Sequence, residues 1–388
     1  MRKYNLIATA TFGLEAVVAR ELRELGYEDL QVENARVLFT GTERDIARCN
    51  LWLRSADRVL LKTAEFKAVT FEELFQGTLA VNWEDYIPQN GRMHVVGKSV
   101  KSTLFSVPDC QAIVKKAVVE KMKKKYRVKW FKEDGPDYKI EVALLKDVVT
   151  LTIDTSGLGL HKRGYRKTAG EAPLKETLAA AMVLLSRWRP ERLLVDPFCG
   201  SGTILIEAAL TGKNIAPGLY RSFAAEQWPF IPTDVWRSAR EEAYAQVNKE
   251  EFFLLGYDRD GRVLQKARAN AERAGVDRYV DFHRQAFSAF RSSKKYGCVV
   301  TNPPYGERSS EKKEVEEIYR EMGKKFSPLA TWSFFILTPH PFFQTLFGKR
   351  ADKNRKLYNG RIKCFYYHYF GPLPRKRRRK NGITGETK

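Results

Sequence analysis

The chain has 388 residues, of which 43% are hydrophobic, so it can bury more than one core. Its 68 Lys and Arg against 46 Asp and Glu leave a net charge of +22 and an isoelectric point near 9.7, a balance suited to a polyanionic partner. No run approaches the roughly 18 apolar residues of a membrane span, and the start, MRKYNLIATATFGLEAVV, is broken by polar residues and glycine where a secretion signal is apolar, so a soluble cytoplasmic protein is expected.

Residues 3 to 12 predict a strand. Apolar positions at 14, 17, 18, 22 and 25 then recur with helical period until Gly26 ends the helix. A strand over Val32 to Thr40 and a helix over Glu43 to Leu53 complete a small α+β unit with a ferredoxin-like start. A second α+β unit follows: a strand over Arg58 to Phe66, a helix over Thr70 to Leu79, a strand over Met93 to Lys98, a basic helix from Pro108 to Tyr126, and strands at Tyr138 to Leu145 and Val148 to Ile153. Pro108 and Asp109 open a helix rich in lysine, which makes Lys115, Lys116, Lys123, Lys124 and Arg127 candidates for phosphate contact. Lys98 and Lys101 extend that patch.

The segment Ser106 to Ala117 (SVPDCQAIVKKA) and the strand pair after it resemble the THUMP domain, an RNA-binding module of tRNA and rRNA modification enzymes. The resemblance implies an RNA partner, rRNA or tRNA. A second basic run, Arg375 to Lys380, includes Arg377 and Arg378; it predicts a disordered tail able to clamp phosphates.

Beyond the linking stretch Gly159 to Arg166 (GLHKRGYR), residues 172 to 181 predict a helix with Pro173 in its first turn. The run Leu193 to Thr203 (LLVDPFCGSGT) then passes from an apolar strand through a Gly-rich turn into the apolar helix Ile204 to Leu210. Glycines at 200 and 202 permit positive φ and close approach of a ligand, and a helix N-terminus offers unpaired N–H groups. Neither G-x-G-x-x-G nor the P-loop pattern is present, which disfavours NAD and ATP. The next strand, Phe252 to Asp258, ends in a carboxylate where a ribose is commonly held, and Asp260 is placed to cap the following helix. Asn214 to Gly218, with Trp228 and Trp236, lies between these two strands as an insertion expected to pack as a lid, with direct RNA contact the alternative.

After the apolar strand Cys298 to Thr301 comes Asn302-Pro303-Pro304-Tyr305. An amine conjugated to a base is a poor nucleophile, because its lone pair is spread into the ring. The Asn302 side-chain oxygen and the Pro303 carbonyl can each accept one N–H, aligning that nitrogen, while Tyr305 stacks on the base. Proline fixes the backbone and offers no competing donor. Guanine N2, adenine N6 and cytosine N4 all fit this chemistry. The five cysteines, at 49, 110, 199, 298 and 364, have no metal-binding spacing, so neither zinc nor a disulfide is expected, and the Pro-Cys pair of cytosine-C5 chemistry is absent.

In this order, DPFCGSGT, GYD and NPPYGER resemble class I S-adenosylmethionine-dependent amino-methyltransferases. The resemblance implies a Rossmann-like α/β domain, with Asp196, Phe198, Gly200, Gly202, Thr203 and Asp258 at the cofactor, and Asn302, Pro303 and Tyr305 at the target base. Gln285 stands where the family often has an Asp for the adenine amine and is expected to substitute through its side-chain oxygen, and Asn302 is expected to border the cofactor as well as the base. The HKRGYR stretch and the THUMP-like unit narrow the resemblance to guanine-N2 RNA methyltransferases, similar to the N-terminal methylase half of the bacterial large-subunit rRNA enzyme. The expected division is 1–55 ferredoxin-like, 56–155 THUMP, 156–372 methyltransferase and 373–388 tail.

Overall fold

A computed structural model describes residues 2–166, 174–306 and 311–374. The first sheet starts with β1 (Tyr4–Ala10), is followed by α1 (Glu15–Glu24), and continues as a hairpin of β2 (Gln31–Glu33) and β3 (Arg36–Gly41). The single strand expected over Val32 to Thr40 is therefore two. Ala35 takes φ +61°, and this left-handed turn reverses the chain at a place where hydrophobic alternation alone gives no break.

Helix α2 (Glu43–Trp52) opens on a capping box, in which the Thr42 backbone N–H and hydroxyl both donate to Asp45. Then come β4 (Ala56–Lys67), α3 (Phe71–Leu79), β5 (Arg92–Val100), α4 (Val107–Tyr126), β6 (Asp137–Leu145) and β7 (Val148–Asp154). The seven strands run in the order β2-β3-β1-β4-β7-β6-β5. Long strand β4 pairs with β1 over residues 56–62 and with β7 over residues 60–67. The two N-terminal units are thus halves of one sheet, and the division placed at residue 55 falls at the foot of the strand they share.

The second sheet begins after α5 (Glu176–Leu185), whose N-cap is Lys175; Pro173, expected in its first turn, lies outside the described residues. Its elements are β8 (Leu194–Asp196), α6 (Thr203–Gly212), α7 (Thr233–Ala245), β9 (Leu254–Asp258), α8 (Gly261–Arg273), β10 (Val280–Arg284), β11 (Cys298–Thr301), α9 (Glu311–Phe326), β12 (Ser333–Thr338), α10 (Phe343–Phe347), β13 (Lys353–Asn359) and β14 (Ile362–Tyr369). The order is β10-β9-β8-β11-β12-β14-β13, with β8 to β12 parallel and β14 antiparallel to β12. Central strands buried on both faces explain the uninterrupted apolar runs: Val299, Val300, Phe335 and Ile336 are inaccessible to solvent. The strand order reverses between β8 and β11, so a crevice opens beyond their carboxyl ends.

A buried polar knot joins the sheets. Arg163 and Glu207 of α6 form an ion pair at 3.4 Å with both side chains almost wholly buried. Tyr165 donates to the same carboxylate at 3.0 Å, and Arg163 donates to the carbonyls of Leu160 and Arg54. The insertion reinforces this join: Trp228 stacks on Tyr138 of β6 at 4.9 Å and donates to the Asp137 carbonyl, while Trp236 is buried against Phe223. All five cysteines are buried free thiols. Among the described residues, no helix is long and apolar enough to cross a membrane, and no His, Cys, Asp and Glu group could hold a metal ion.

Candidate active site

The crevice contains a cavity of about 900 Å³. One end is bounded by Phe198, Asp258, Gln285 and Phe287, the other by Asn302 to Gly306, with α9 and the β13–β14 turn as outer walls.

At the first end, the loop after β8 is sewn to the end of β9. Cys199 N–H donates to the Tyr257 carbonyl at 2.9 Å, and Gly200 N–H donates to the Asp258 carboxylate at 3.0 Å. Asp258 also accepts from the Asp260 amide, and the Asp260 side chain caps α8 by accepting from Arg262 N–H at 2.8 Å. Gly200 has φ +51°, and a Cβ there would meet nothing within 4 Å, so open space for a ligand lies against this backbone. Gly202, at φ +82°, differs: a Cβ would strike the Phe282 ring at 2.9 Å. Its smallness serves the packing of α6 on the sheet. Asn270 of α8 holds the loop from behind, donating to the Ser201 carbonyl at 3.1 Å.

Asp196 and Thr203 also lie behind the cavity. Asp196 is 1% exposed; one carboxylate oxygen accepts from the Thr301 hydroxyl at 2.6 Å and from Phe198 N–H at 3.1 Å. It thereby ties the cofactor loop to the strand that delivers Asn302. Burial pushes its pKa up to about 7, against the lowering effect of those two hydrogen bonds. Thr203 accepts from Arg166 at 2.5 Å, so its hydroxyl anchors the linking segment. Both residues position the loop where direct cofactor contact was expected. Their short polar side chains follow an apolar strand in either role, and sequence alone does not separate the two.

Phe198 and Phe287 pack with ring centroids 5.0 Å apart and form an apolar wall beside Gln285, whose N–H donates to the Asp258 carbonyl. Phe287 was not singled out from the sequence, although an aromatic two residues after Gln285 in a loop leaving a parallel strand is the available signal. Lys175, Arg259, Ile318 and Asn359 also border the cavity without having been foreseen.

At the other end, the Tyr305 hydroxyl donates to the Asn302 side-chain oxygen at 2.5 Å and accepts from Asn359 at 3.3 Å. Burial raises the Tyr305 pKa, so the phenol stays a donor. The ring is thus pinned beside Asn302 and is half-buried, where an open stacking platform was expected. The Asn302 oxygen retains a second lone pair for an amine. Tyr319 of α9 donates to the Pro304 carbonyl at 3.0 Å and fixes the turn. His161 lies away from the cavity wall, and burial lowers its pKa to about 4.

The basic helix is only partly as expected. Lys115 is consumed internally by the Met93 carbonyl and Glu133, and Lys123 pairs with Glu120 at 2.9 Å. Lys116 lies over the Phe75 ring. Lys124 and Arg127 are exposed, and so is Trp130, at 74%. Arg377 and Arg378 lie outside the described residues.

Three family models tile the chain: the RlmL ferredoxin-like domain over residues 5–60, the THUMP domain over 68–154, and the RMKL-like methyltransferase domain over 163–368. The chain belongs to the RMKL-like methyltransferases. It is 52% identical over 385 residues to YpsC of Bacillus subtilis, described as a candidate RNA methyltransferase, covering 98% of this chain and all of that one. It is 35% identical over 393 residues to Ribosomal RNA large subunit methyltransferase K/L of Vibrio cholerae, covering 98% of this chain and 54% of that one. The chain therefore spans about half the length of the K/L relatives.

Two solved structures superpose with a TM-score of 0.92, each over 96% of this chain. One, 51% identical and covered over 97% of its length, is a Listeria monocytogenes protein described as a predicted N6-adenine-specific DNA methylase. The other, 47% identical and covered over its whole length, is SMU.472, solved in complex with SAH. The RMKL-like site of this chain suits S-adenosylmethionine on its own geometry. A carboxylate at Asp258 and an apolar wall at Phe198 and Phe287 lead along one cavity to Asn302, and open backbone at Gly200 lies beside Asp258.

Proposed function

We propose that this protein transfers a methyl group to the exocyclic N2 amine of a guanine in RNA, with 23S rRNA as the substrate. The observation that carries the reading is a single cavity running from Asp258 to Asn302-Pro303-Pro304-Tyr305. Cofactor and base thereby meet at one point, on a chain that also carries a THUMP domain. RNA, guanine N2 and the large subunit are supported by the family resemblance and by the name of the K/L relative. A cytoplasmic location follows from that substrate.

When bound, S-adenosylmethionine supplies an electrophilic methyl on a sulfonium. Asn302 Oδ1 and the Pro303 carbonyl accept the two amine hydrogens and hold the nitrogen lone pair toward that methyl. As the new C–N bond forms, the C–S bond breaks, and the extra proton on nitrogen leaves to solvent. An amine whose two hydrogens are held by Asn302 and Pro303 cannot also be base-paired, so the target base enters flipped out of its stack.

A second reading, DNA adenine-N6 methylation, is favoured by the description of the Listeria relative, since adenine N6 presents a similar amine. The THUMP domain weighs against it, and a tRNA guanine remains the nearer alternative. The test is nucleoside mass spectrometry on separated rRNA, tRNA and DNA from a deletion strain. Loss of N2-methylguanosine from 23S rRNA, restored by the wild-type gene, supports the proposal. Loss from tRNA alone, loss of N6-methyladenine from DNA, or no change in any fraction overturns it.

A further inference from the structure

The turn of the β13–β14 hairpin walls the cavity, but its two strands serve neither the cofactor end nor the THUMP domain, and their charge is one-sided. From 353 to 369 the chain carries Lys353, Arg355, Lys356, Arg361 and Lys363 and no acidic residue. Antiparallel register places Lys356 opposite Phe365 and Tyr358 opposite Lys363, so these four side chains share one face, while buried Leu357 and Cys364 form the other. Lys356 Nζ lies 5.5 Å from the Tyr358 ring centroid and Lys363 Nζ lies 5.3 Å from that of Phe365. The N-terminal unit adds a third ring: Phe12, 48% exposed, meets Tyr358 edge-on at 6.0 Å.

Two comparisons give this face its meaning. Lys115 and Lys123 of α4 are paired with carboxylates, whereas Lys356 and Lys363 are exposed and, among the described residues, face aromatic rings instead. The opposite rim of the cavity, on α9, is acidic at Glu314 and Glu321, with Glu314 paired to Arg259 at 2.7 Å. Across Glu311–Phe326 five Glu are balanced by five Lys and Arg, so a polyanion reaching Asn302 meets along the hairpin a net positive charge that α9 does not offer. The hairpin also touches the reacting end directly, since Asn359 at its turn donates to Tyr305, which in turn bonds Asn302.

We infer that this hairpin face is the track for the single-stranded RNA flanking the target nucleotide, with Lys356 and Lys363 on phosphates and Tyr358 stacking on a neighbouring base. Alternating cations and rings are what sequence-tolerant binding of a single strand requires. The inference rests on the reading of the substrate as RNA, and it assigns the specific contact surface.

The test is fluorescence anisotropy of the full-length protein with a short labelled single-stranded RNA across a range of salt concentrations. The Lys356→Gln/Lys363→Gln variant should bind roughly tenfold more weakly at low salt, with a log K against log salt slope shallower by about 1.4, from about 0.7 per phosphate on a single strand. Tyr358→Ala should weaken binding by a similar factor and leave the slope unchanged. Titration with S-adenosylmethionine, unchanged in both variants, shows that they are folded. Wild-type affinity and slope in the lysine variant would overturn the inference, as would wild-type protein that shows no salt-dependent binding. Lysine-dependent binding without methyl transfer to guanine would leave the hairpin standing and defeat the choice of base.

Discussion

One of the two acceptor lone pairs of the Asn302 oxygen is already taken by Tyr305, so in the proposed reaction amine capture depends on the remaining one. Asn302→Ala should lower kcat about 100-fold, the usual scale for one preorganised polar contact in a transition state, with S-adenosylmethionine affinity within about twofold of wild type. Single-turnover kinetics alongside calorimetry check this; wild-type turnover would remove Asn302 from the chemistry.

Asp196 makes a different prediction. Its pKa is about 7 in the folded protein against an ordinary 3.8. Between those values the folded state keeps a proton that the unfolded chain has lost, so stability falls as pH rises through the window and levels off above it. Asp196→Asn should flatten that decline, as read by denaturant unfolding at acidic and neutral pH. Both residues stand out in the sequence by position after an apolar strand. Their division of labour does not, because it depends on which way each side chain turns once Thr301 and Tyr305 are neighbours.

At the scale of elements, the linking segment carries more of the architecture than its composition suggests. Arg163, Tyr165 and Glu207 form a buried knot between the sheets, and Arg166 reaches Thr203 and Glu176 beyond it. Breaking a buried pair from one side leaves an uncompensated charge, so Glu207→Ala should cost about 3–5 kcal/mol in denaturant unfolding. A loss under about 1 kcal/mol would show that the knot is incidental. HKRGYR was legible as a motif, but its partner lies 44 residues away, beyond any local periodicity. The basic helix shows the converse: its lysines were legible as charge, yet Lys115 turns inward to Glu133, a contact set by the packing of a loop. The hairpin lysines escaped notice because they are spread over alternating positions and gather only when two strands pair.

For the whole molecule, the second sheet was the more legible of the two, since buried parallel strands write continuous apolar runs and its loops carry DPFCGSGT and NPPY. The first sheet was read as two units because each half has its own strand and helix pattern, and the shared role of β4 is a matter of pairing that no single segment encodes. The result is one chain in which a THUMP-bearing half is joined through buried contacts to the cavity proposed for methyl transfer. That cavity is rimmed by a basic hairpin. The most direct test is transfer of labelled methyl from S-adenosylmethionine by the purified protein to RNA and, separately, DNA from a deletion strain, followed by digestion and nucleoside identification. The account predicts label in N2-methylguanosine from 23S rRNA, abolished by Asn302→Ala. Label in N6-methyladenine of DNA, or none in any RNA, would contradict it.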